Sequence, residues 1–375
     1  MFASRRVFGR APPGVRLAIF PGRYVQGPGT LSILGSELSR FGKKALLLMD
    51  PFVHETLSAK VDASLKGSVD ACIEVFSKEC CDEEIERLKK HNDVDLVAGI
   101  GGGKTMDTSK AVAHALKCPV AIIPTLASTD APCTALSVIY TKTGEFSRYL
   151  ELPQNPNLVL VDSEIIAHAP VRFLVSGMGD ALATWFEGHS CFSTQSVNLN
   201  GQYMGNYTAY GVARLCYETI MTYGEVAKKA CETQTTCPAL ERVIEANTLM
   251  SGLGAESCGL GAAHAIHNGL TALEETHSFT HGEKVAFGTQ VGLFLTDGNP
   301  ADIEKVYAFC ENVGLPTTLA DIGVTRATDD MLMKVALAST AEGETIHHES
   351  GVVLPKDVVS AIKAADAYGR SRKVK

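Results

Sequence analysis

Four of the chain's eleven histidines lie within residues 264–281, inside the stretch GAAHAIHNGLTALEETHSFTHGEKVAFG. His264 and His267 are three positions apart in a run that favours a helix, so their imidazoles would share one helix face. His281 opens a second helical run, and His277 precedes it by four positions. Imidazole is the commonest ligand for zinc-like metals, and a site built from two helices takes one histidine from each. The cluster therefore indicates a metal or catalytic site, although ordinary capping and surface histidines would also account for it.

A metal site that keeps an open position takes three protein ligands, so one more must come from elsewhere. The best carboxylate candidate is Asp180, in VSGMGDALATWFEGHS, where the apolar spacing predicts an amphipathic helix with the acid in its first turn. An acid in that place is also stabilised by the helix macrodipole without any further role. The sequence leaves both interpretations of Asp180 open.

Composition is that of a soluble, enzyme-sized protein. The 375 residues are 45% hydrophobic, enough for two buried cores, and the net charge of −8 argues against a nucleic-acid or anionic-membrane partner. No apolar run approaches the roughly 18 residues that span a bilayer, and no signal-peptide core is visible. The eleven cysteines are scattered without a CxxC pair, which is typical of free, mostly buried thiols in a reducing compartment.

The N-terminal segment MFASRRVFGRAPPGVR allows two interpretations. It contains four arginines, and no acid occurs before Glu37, which is the composition of an organelle transit peptide. Pro12, Pro13 and Gly14 would interrupt an amphipathic helix, so a disordered arm on a cytoplasmic protein is the other possibility. We expect a cytoplasmic protein, with a mitochondrial or related organelle as the alternative.

Beyond the arm, strand and helix patterns alternate. KKALLLMDP, DACIEVFS, DLVAGIGG and PVAIIPT read as buried strands, and helical patterns separate them. Beyond about Val161 only helical patterns remain. We therefore expect an arm over residues 1–15, a doubly wound, mostly parallel α/β domain over residues 16–165, and an all-α domain over residues 166–375, with the site in the cleft between the two domains.

A glycine-rich turn lies in AGIGGGKTMDTSKAVAHAL, residues 98–116. A strand, then glycines, then a helix is the arrangement in which backbone amides bind a phosphate or pyrophosphate. The turn does not match GxGxxG, because Lys104 occupies the third glycine position, and it misses GxxxxGK[ST] by Ala98. It therefore predicts phosphate binding without identifying the nucleotide.

Two other strand ends carry polar residues. Asp50 closes KKALLLMD, where an acid commonly binds an adenosine ribose, although a turn-forming aspartate before proline is equally expected. The next strand runs into a loop with Thr125, Ser128 and Asp130, and the alternation that follows predicts a hairpin. Loops at such strand ends often line a ligand site.

These stretches resemble a known family, the NAD-dependent glycerol dehydrogenases, which are the zinc-using branch of the iron-containing alcohol dehydrogenase superfamily. The resemblance covers roughly residues 17 to 370 and implies the dehydroquinate synthase-like fold, with an N-terminal dinucleotide-binding domain and an all-α C-terminal domain. It rests on five blocks: GGGKTMDTSKA, PTLASTDAPCTALSVIYTKTGEF, GMGDALATWFEGHS, GLGAAHAIHNGL and THSFTHGEKVAFG.

The resemblance also implies roles for single residues. Zinc ligands fall on Asp180, His264 and His281, while His267 lines the site and Asp130 lies beside the bound polyol. NAD contacts fall on the strand ends, the glycine turn and the hairpin, namely Asp50, Gly102, Gly103, Lys104, Asp107, Thr125, Ser128, Thr134, Leu136 and Tyr140.

One position departs from the iron-dependent members of the superfamily, which place a histidine four residues after the ligand aspartate. Thr184 occupies that position here, and the three remaining ligands favour zinc. The implied reaction is oxidation of glycerol to dihydroxyacetone by NAD⁺, in a homo-oligomer, an octamer in relatives. The alternatives are a glycerol-1-phosphate dehydrogenase, a lyase of the dehydroquinate synthase type, a nucleotide-triphosphate switch, or an oligomeric scaffold without catalysis.

Overall fold

The computed structural model describes residues 14–373. It divides into two compact units. The α/β unit consists of Ile19–Leu174 and Lys229–Gly252, and the helical unit of the described part of Met1–Ala18, Val175–Lys228 and Leu253–Lys375. Over the described range, none of the helices combines the length and the apolarity needed to cross a membrane.

The α/β unit is built on a parallel sheet of six strands. The strands of this unit are β1 Tyr24–Gly27, β2 Lys44–Met49, β3 Asp70–Val75, β4 Leu96–Gly101, β5 Val120–Pro124, β6 Leu136–Tyr140, β7 Phe146–Glu151 and β8 Leu158–Asp162. The order across the six-stranded sheet is β1-β8-β5-β4-β2-β3, and β6 and β7 form a separate antiparallel hairpin. The predicted parallel α/β domain and the predicted hairpin are thereby confirmed.

Side-chain patterns explain the strand order. The central strands β4, β5 and β8 are buried along their whole length, as continuous apolar runs require when helices cover both faces of a sheet. The edge strand β3, DACIEV, is only partly buried. Its polar side chains are therefore available to solvent.

Helices account for most of the rest. They are α1 Leu34–Leu38, α2 Pro51–Leu65, α3 Asp82–Leu88, α4 Gly103–Leu116, α5 Ser163–Ala167, α6 Val171–Thr194, α7 Tyr207–Glu232, α8 Pro238–Glu245, α9 Ser251–Cys258, α10 Ala262–Leu270, α11 His281–Leu295, α12 Pro300–Val313, α13 Asp329–Ser339 and α14 Pro355–Lys373. In the helical unit, an apolar core joins α10, α11, α13 and α14. No strand follows β8 in the described chain, as the sequence predicted.

The compact units differ from the expected domains, 16–165 and 166–375, in three respects. The α/β unit begins at Ile19 and its first segment ends at Leu174. Residues Lys229–Gly252, which contain α8, belong to the α/β unit although they follow it by more than fifty positions. Of the predicted arm, residues 1–13 lie outside the described residues. The carbonyl of Val15 accepts a hydrogen bond from Met204 N at 3.1 Å.

Candidate active site

The structure brings the predicted metal ligands together within the helical unit. Asp180 lies on α6 and is 1% exposed, His264 lies on α10, and His281 is the first residue of α11. The Asp180 Oδ1 atom is 3.4 Å from His264 Nε2 and 3.2 Å from His281 Nε2. One ligand atom from each of the three residues lies within 4.8 Å of the others.

The spacing of these atoms fits a metal ion better than a hydrogen bond. Zinc bonds of about 2.0–2.2 Å at a tetrahedral angle place neighbouring ligand atoms about 3.4 Å apart. A charge-assisted hydrogen bond between imidazolium and carboxylate is shorter, about 2.7–2.9 Å. The separations of 3.2 and 3.4 Å in the structure agree with the first value, so the donor set and its spacing fit a small divalent cation.

Two glycines bring α6 and α11 close enough to form this centre. A Cβ atom on Gly282 would overlap the carbonyl oxygen of Ser176, and one on Gly179 would overlap the carbonyl oxygen of Gly282. Each glycine is the immediate neighbour of a predicted ligand, Asp180 or His281. The absence of side chains at these two positions therefore sets the distance between the ligands.

Glu187, two helical turns after Asp180 on α6, orients His264. Its Oε2 atom accepts from His264 Nδ1 at 2.6 Å, and its Oε1 atom accepts from the backbone amides of Gly261 and His264, both at 2.9 Å. With Nδ1 donating to the carboxylate, the Nε2 atom of His264 is the one that faces Asp180. This carboxylate–imidazole pair is the arrangement that fixes a metal-binding histidine.

His267 has the corresponding contact with His281. The ring nitrogens His281 Nδ1 and His267 Nε2 are 3.1 Å apart, and His267 Nδ1 is 3.1 Å from Asn268 Oδ1. The amide oxygen can only accept, so the network assigns His267 Nδ1 as donor and His267 Nε2 as acceptor from His281. His281 Nε2 then presents its lone pair toward Asp180.

Burial disfavours the charged forms of His264, Asp180 and His267, and the charges of neighbouring groups determine the direction in which each pKa finally shifts. Burial lowers the pKa of His264, but Glu187 and Asp180 outweigh it and raise that pKa well above its ordinary value. Burial raises the pKa of Asp180, but His281 and His264 outweigh it and hold that pKa well below its ordinary value. For His267, burial and the neighbouring His281 both lower the pKa. His267 is therefore neutral. His264 carries a proton on both ring nitrogens, and a metal ion would replace the one on Nε2, which faces Asp180.

Two further positions named in the sequence analysis are His277 and Thr184. His277 is exposed and its Nε2 atom is 3.0 Å from the carbonyl oxygen of Thr271. Thr184 is buried, and its methyl group lies where a Cβ on Gly254 would fall. His277 does not belong to the group of potential metal ligands around Asp180.

In the α/β unit, the glycine turn forms an open helix start. Gly102 is the N-cap of the fourteen-residue helix α4, without a side-chain hydrogen bond to the helix. A Cβ on Gly103 would meet nothing within 4 Å. The backbone amides of this turn are thus accessible to an anion, and the helix dipole favours one there.

Other predicted cofactor residues lie at neighbouring strand ends. Asp50 follows β2 and accepts from Phe52 N at 3.0 Å, so it caps α2 through one carboxylate oxygen. Thr125 follows β5, and its backbone amide donates to Gly101 O at 3.2 Å. Since β5, β4 and β2 are adjacent in the sheet, these residues and the glycine turn share one edge.

Lys104 and Tyr140 are also in contact. The Lys104 ammonium forms an ion pair with Glu79 at 2.7 Å and lies 4.8 Å from the centre of the Tyr140 ring. Burial, with Asp107 and Glu79 nearby, raises the pKa of Tyr140 to about 12. The phenol is therefore neutral at ordinary pH.

The carboxylate of Asp107 contacts other groups of the protein. One of its carboxylate oxygens lies 2.8 Å from Lys110 Nζ, and the other accepts from Val138 N at 3.0 Å. Lys110, 1% exposed, also donates to the carbonyls of Ala131 at 3.1 Å and of Leu136. Asp107 thus fixes the hairpin strand β6, and its predicted contact with pyrophosphate stays a prediction.

The segment between β5 and β6 contains four more predicted residues. Ser128 is partly buried, and Asp130 is the N-cap of a short 3₁₀ turn. Thr134 donates to Ala131 O at 3.3 Å, and Leu136 begins β6. The segment is also held by the fully buried Asn247, whose amide donates to Ala127 O and Leu174 O, both at 3.0 Å.

Known proteins share this architecture. The sequence profile of the iron-containing alcohol dehydrogenases matches residues 21–163. A glycerol dehydrogenase of Thermotoga maritima is 58% identical over 361 residues, which are 96% of this chain and 99% of that protein. A glycolaldehyde reductase of Halobacterium salinarum is 44% identical over 356 residues, 93% of this chain and 97% of that protein. The crystal structure of glycerol dehydrogenase from Schizosaccharomyces pombe has a TM-score of 0.93 at 38% identity, covering 97% of this chain and 93% of that one.

This chain belongs to the iron-containing alcohol dehydrogenase family. It is an oxidoreductase that acts on a small molecule, and the resemblance drawn from the five sequence blocks is confirmed.

Sequence reasoning missed several residues of this alcohol dehydrogenase fold. Glu187 lies seven positions after Asp180, and that spacing on a predicted helix would have placed the two acids on one face. Lys110 lies three positions after Asp107, the spacing of an ion pair within a helix. Asn247 left no comparable signal, because it is 120 residues from its partner Ala127.

Replacing Glu187 by glutamine tests its role at the metal centre. The glutamine side chain would keep an oxygen for the two backbone amides but could not accept from His264 Nδ1, so we expect metal affinity about 10–100-fold lower. Competition against a chromogenic chelator measures the affinity. Glu218→Gln, at an exposed glutamate on α7 paired with Arg214, is the matched control. Equal affinities in both variants would show that Glu187 does not orient the ligand.

Replacing Gly282 by alanine tests the close helix contact. Forcing a methyl group against the Ser176 carbonyl is expected to lower the free energy of unfolding by about 1–3 kcal/mol and to weaken metal binding, since α11 carries His281. Gly292→Ala on the same helix is the control, because its methyl would meet Ala262 Cβ at an ordinary 3.6 Å. Urea unfolding without metal and a metal titration give the two readouts. An unaltered Gly282→Ala protein would contradict the steric argument.

Proposed function

We propose that this chain is a zinc- and NAD-dependent glycerol dehydrogenase, which oxidises the secondary alcohol of glycerol and related 1,2-diols to give dihydroxyacetone and its analogues. The observation that carries the proposal is the group of one buried carboxylate and two imidazoles at metal-ligand spacing, in a chain 58% identical to a glycerol dehydrogenase. By resemblance, we also expect a homo-oligomer, with an octamer as the specific form.

The donor set favours zinc. Asp180, His264 and His281 supply one oxygen and two nitrogens, which suits zinc in a catalytic site with an open position. When bound, zinc supplies a Lewis acid that lowers the pKa of an alcohol hydroxyl, and NAD⁺ supplies the hydride acceptor.

The protein residues would place and hold these charges. Asp180 is the one anionic ligand of three, so it neutralises only half the charge of a divalent cation and leaves the rest to act on the substrate. Glu187 and His267 fix the ring orientations of His264 and His281 through the nitrogens that point away from Asp180. His267 accepts from His281 and donates to Asn268, so its main role would be to orient the His281 imidazole.

NAD binding is proposed for the sheet edge in the α/β unit. The free amides at Gly102 and Gly103 suit a pyrophosphate. Asp50 uses one carboxylate oxygen to cap α2, and its second oxygen can accept from the ribose hydroxyls, which favours NAD over its 2′-phosphorylated form. The remaining proposed contacts are Lys104, Asp107, Thr125, Ser128, Thr134, Leu136 and Tyr140, and Asp130 is the proposed contact of the polyol.

Metal content and initial rates test the proposal together. We expect the purified protein to contain zinc and to reduce NAD⁺ with glycerol or 1,2-propanediol. Asp180→Ala and His264→Ala should lose metal and turnover while still binding NADH, measured by fluorescence. His277→Ala is the matched control and should keep both properties, since His277 lies outside the ligand group. A His264→Ala enzyme with wild-type zinc and rate would overturn the ligand assignment.

The same assay separates related substrates. Glycerol 1-phosphate, offered beside glycerol, distinguishes a phosphate-using dehydrogenase of the same superfamily, which would need a cationic pocket. The 44% identity to a glycolaldehyde reductase makes glycolaldehyde the second substrate to compare with dihydroxyacetone in the reductive direction. A clear preference for glycolaldehyde would change the proposed substrate from glycerol to a 2-hydroxyaldehyde. The proposed metal ligands would stay the same.

Gly103→Ala tests the proposed cofactor site. The protein has room for the added methyl, but a pyrophosphate approaching the amides would meet it, so we expect the NAD⁺ Kd to rise about tenfold, or about 1.4 kcal/mol. Gly211→Ala is the control, because a Cβ there also meets nothing within 4 Å and Gly211 lies on α7. Both variants should keep their stability. Unchanged NAD⁺ binding in Gly103→Ala would place the cofactor elsewhere.

A further inference from the structure

A second group of potential metal ligands lies at the edge of the parallel sheet. Cys72 and Glu74 are two positions apart on the edge strand β3, so their side chains project from the same face. His91 follows α3 and is fixed by a turn in which its backbone amide donates to Leu88 O at 3.1 Å. One ligand atom from each of the three residues lies within 4.8 Å of the others.

The two nitrogens of His91 have different partners. Its Nε2 atom is 2.9 Å from Glu74 Oε1, and its Nδ1 atom is 3.6 Å from Cys72 Sγ. The carboxylate accepts from Nε2–H, which leaves the Nδ1 lone pair directed toward the sulfur. The same relation holds at the first centre, where Glu187 binds one nitrogen of His264 and the other faces Asp180.

The distance between sulfur and nitrogen matches a shared ion. A Zn–S bond of about 2.3 Å and a Zn–N bond of about 2.05 Å, at a tetrahedral angle, place the two ligand atoms about 3.6 Å apart. The separation in the structure is 3.6 Å. A thiol hydrogen bond to the imidazole would also span this distance, so the experiment must distinguish a bound ion from a proton.

The surrounding charges favour a cation. Burial, together with the nearby carboxylates of Glu74, Asp93 and Asp70, raises the pKa of the Cys72 thiol. The same negative field attracts a metal ion, which would displace the thiol proton. Two cations oppose this field. Arg87 is engaged by Glu74 Oε2 at 2.5 Å and by Glu84 at 2.8 Å, which also keeps the Glu74 carboxylate in place, and Lys44 lies 3.5 Å from Asp93.

We propose that Cys72 Sγ and His91 Nδ1 bind a thiophilic divalent cation such as Zn²⁺, with Glu74 orienting the imidazole and water completing the coordination. This site is separate from the Asp180 centre and independent of the proposed function. The ion would link the edge strand β3 to the connection between α3 and β4. It would also cover the exposed thiol of Cys72.

Cobalt(II) distinguishes the two centres by their ligands. The Asp180 centre contains no sulfur, whereas a thiolate bound to cobalt gives a charge-transfer absorption in the near ultraviolet. Chelator-stripped protein, kept reduced with a phosphine, is titrated with Co²⁺. We expect the wild type to bind two equivalents and to develop this absorption to the amplitude of one thiolate-bound cobalt per chain. Cys72→Ala and His91→Ala should lack the absorption and bind one equivalent less.

Matched variants make the result specific. Cys118→Ala, which removes another partly exposed free cysteine, should keep the full absorption. Glu74→Ala should reach the same absorption with an affinity about 10–100-fold lower. Cys72→Ser keeps the side-chain size and guards against a folding defect. The proposal is overturned if the wild type binds cobalt without the absorption, if Cys72→Ala retains it, or if Glu74→Ala binds as tightly as the wild type.

Discussion

The backbone contact between α6 and α11 sets the geometry of the proposed metal centre. Gly179 and Gly282 allow the two helices to touch where any side chain would overlap a carbonyl oxygen. Asp180 and His281 are the residues next to these glycines. The helix contact therefore fixes the distance between their backbones, and side-chain rotation can change their separation only within that limit. Close-packed interiors tolerate little movement, so the centre has the rigidity that a catalytic metal requires.

The two carboxylates around His264 favour a positive charge between them, whether a metal ion or a proton on the imidazole supplies it. Asp180 and Glu187 lie on opposite sides of His264, and together they outweigh burial and raise the pKa of that imidazole. A proton on His264 therefore balances one of two buried carboxylates. As pH falls, this proton competes more strongly with the metal, so metal affinity decreases toward acid pH. A divalent cation would balance both buried carboxylates, and its coordination bonds would also fix the positions of the ligands.

How much of this could be predicted from sequence depends on the range of the interaction. The buried runs of β4 and β5 and the glycine turn before α4 are local patterns, and the structure agrees with them. The density of histidines pointed to the group around Asp180 that we propose as the metal centre, and the family resemblance selected His264 and His281 among them. The pairing of Cys72 with His91 was not predictable, because no motif connects a strand residue to a turn nineteen positions later.

Lys110 shows the same limit for the α/β unit. A lysine in an amphipathic helix is normally assigned to its solvated face, yet this one is 1% exposed. Burial of an ammonium is costly unless it is paired and hydrogen-bonded, and Asp107 together with two carbonyls meets that condition. Those carbonyls belong to Ala131 and Leu136, at the two ends of the segment that contains Thr134. The buried charge thus makes this polar loop a fixed part of the proposed cofactor site.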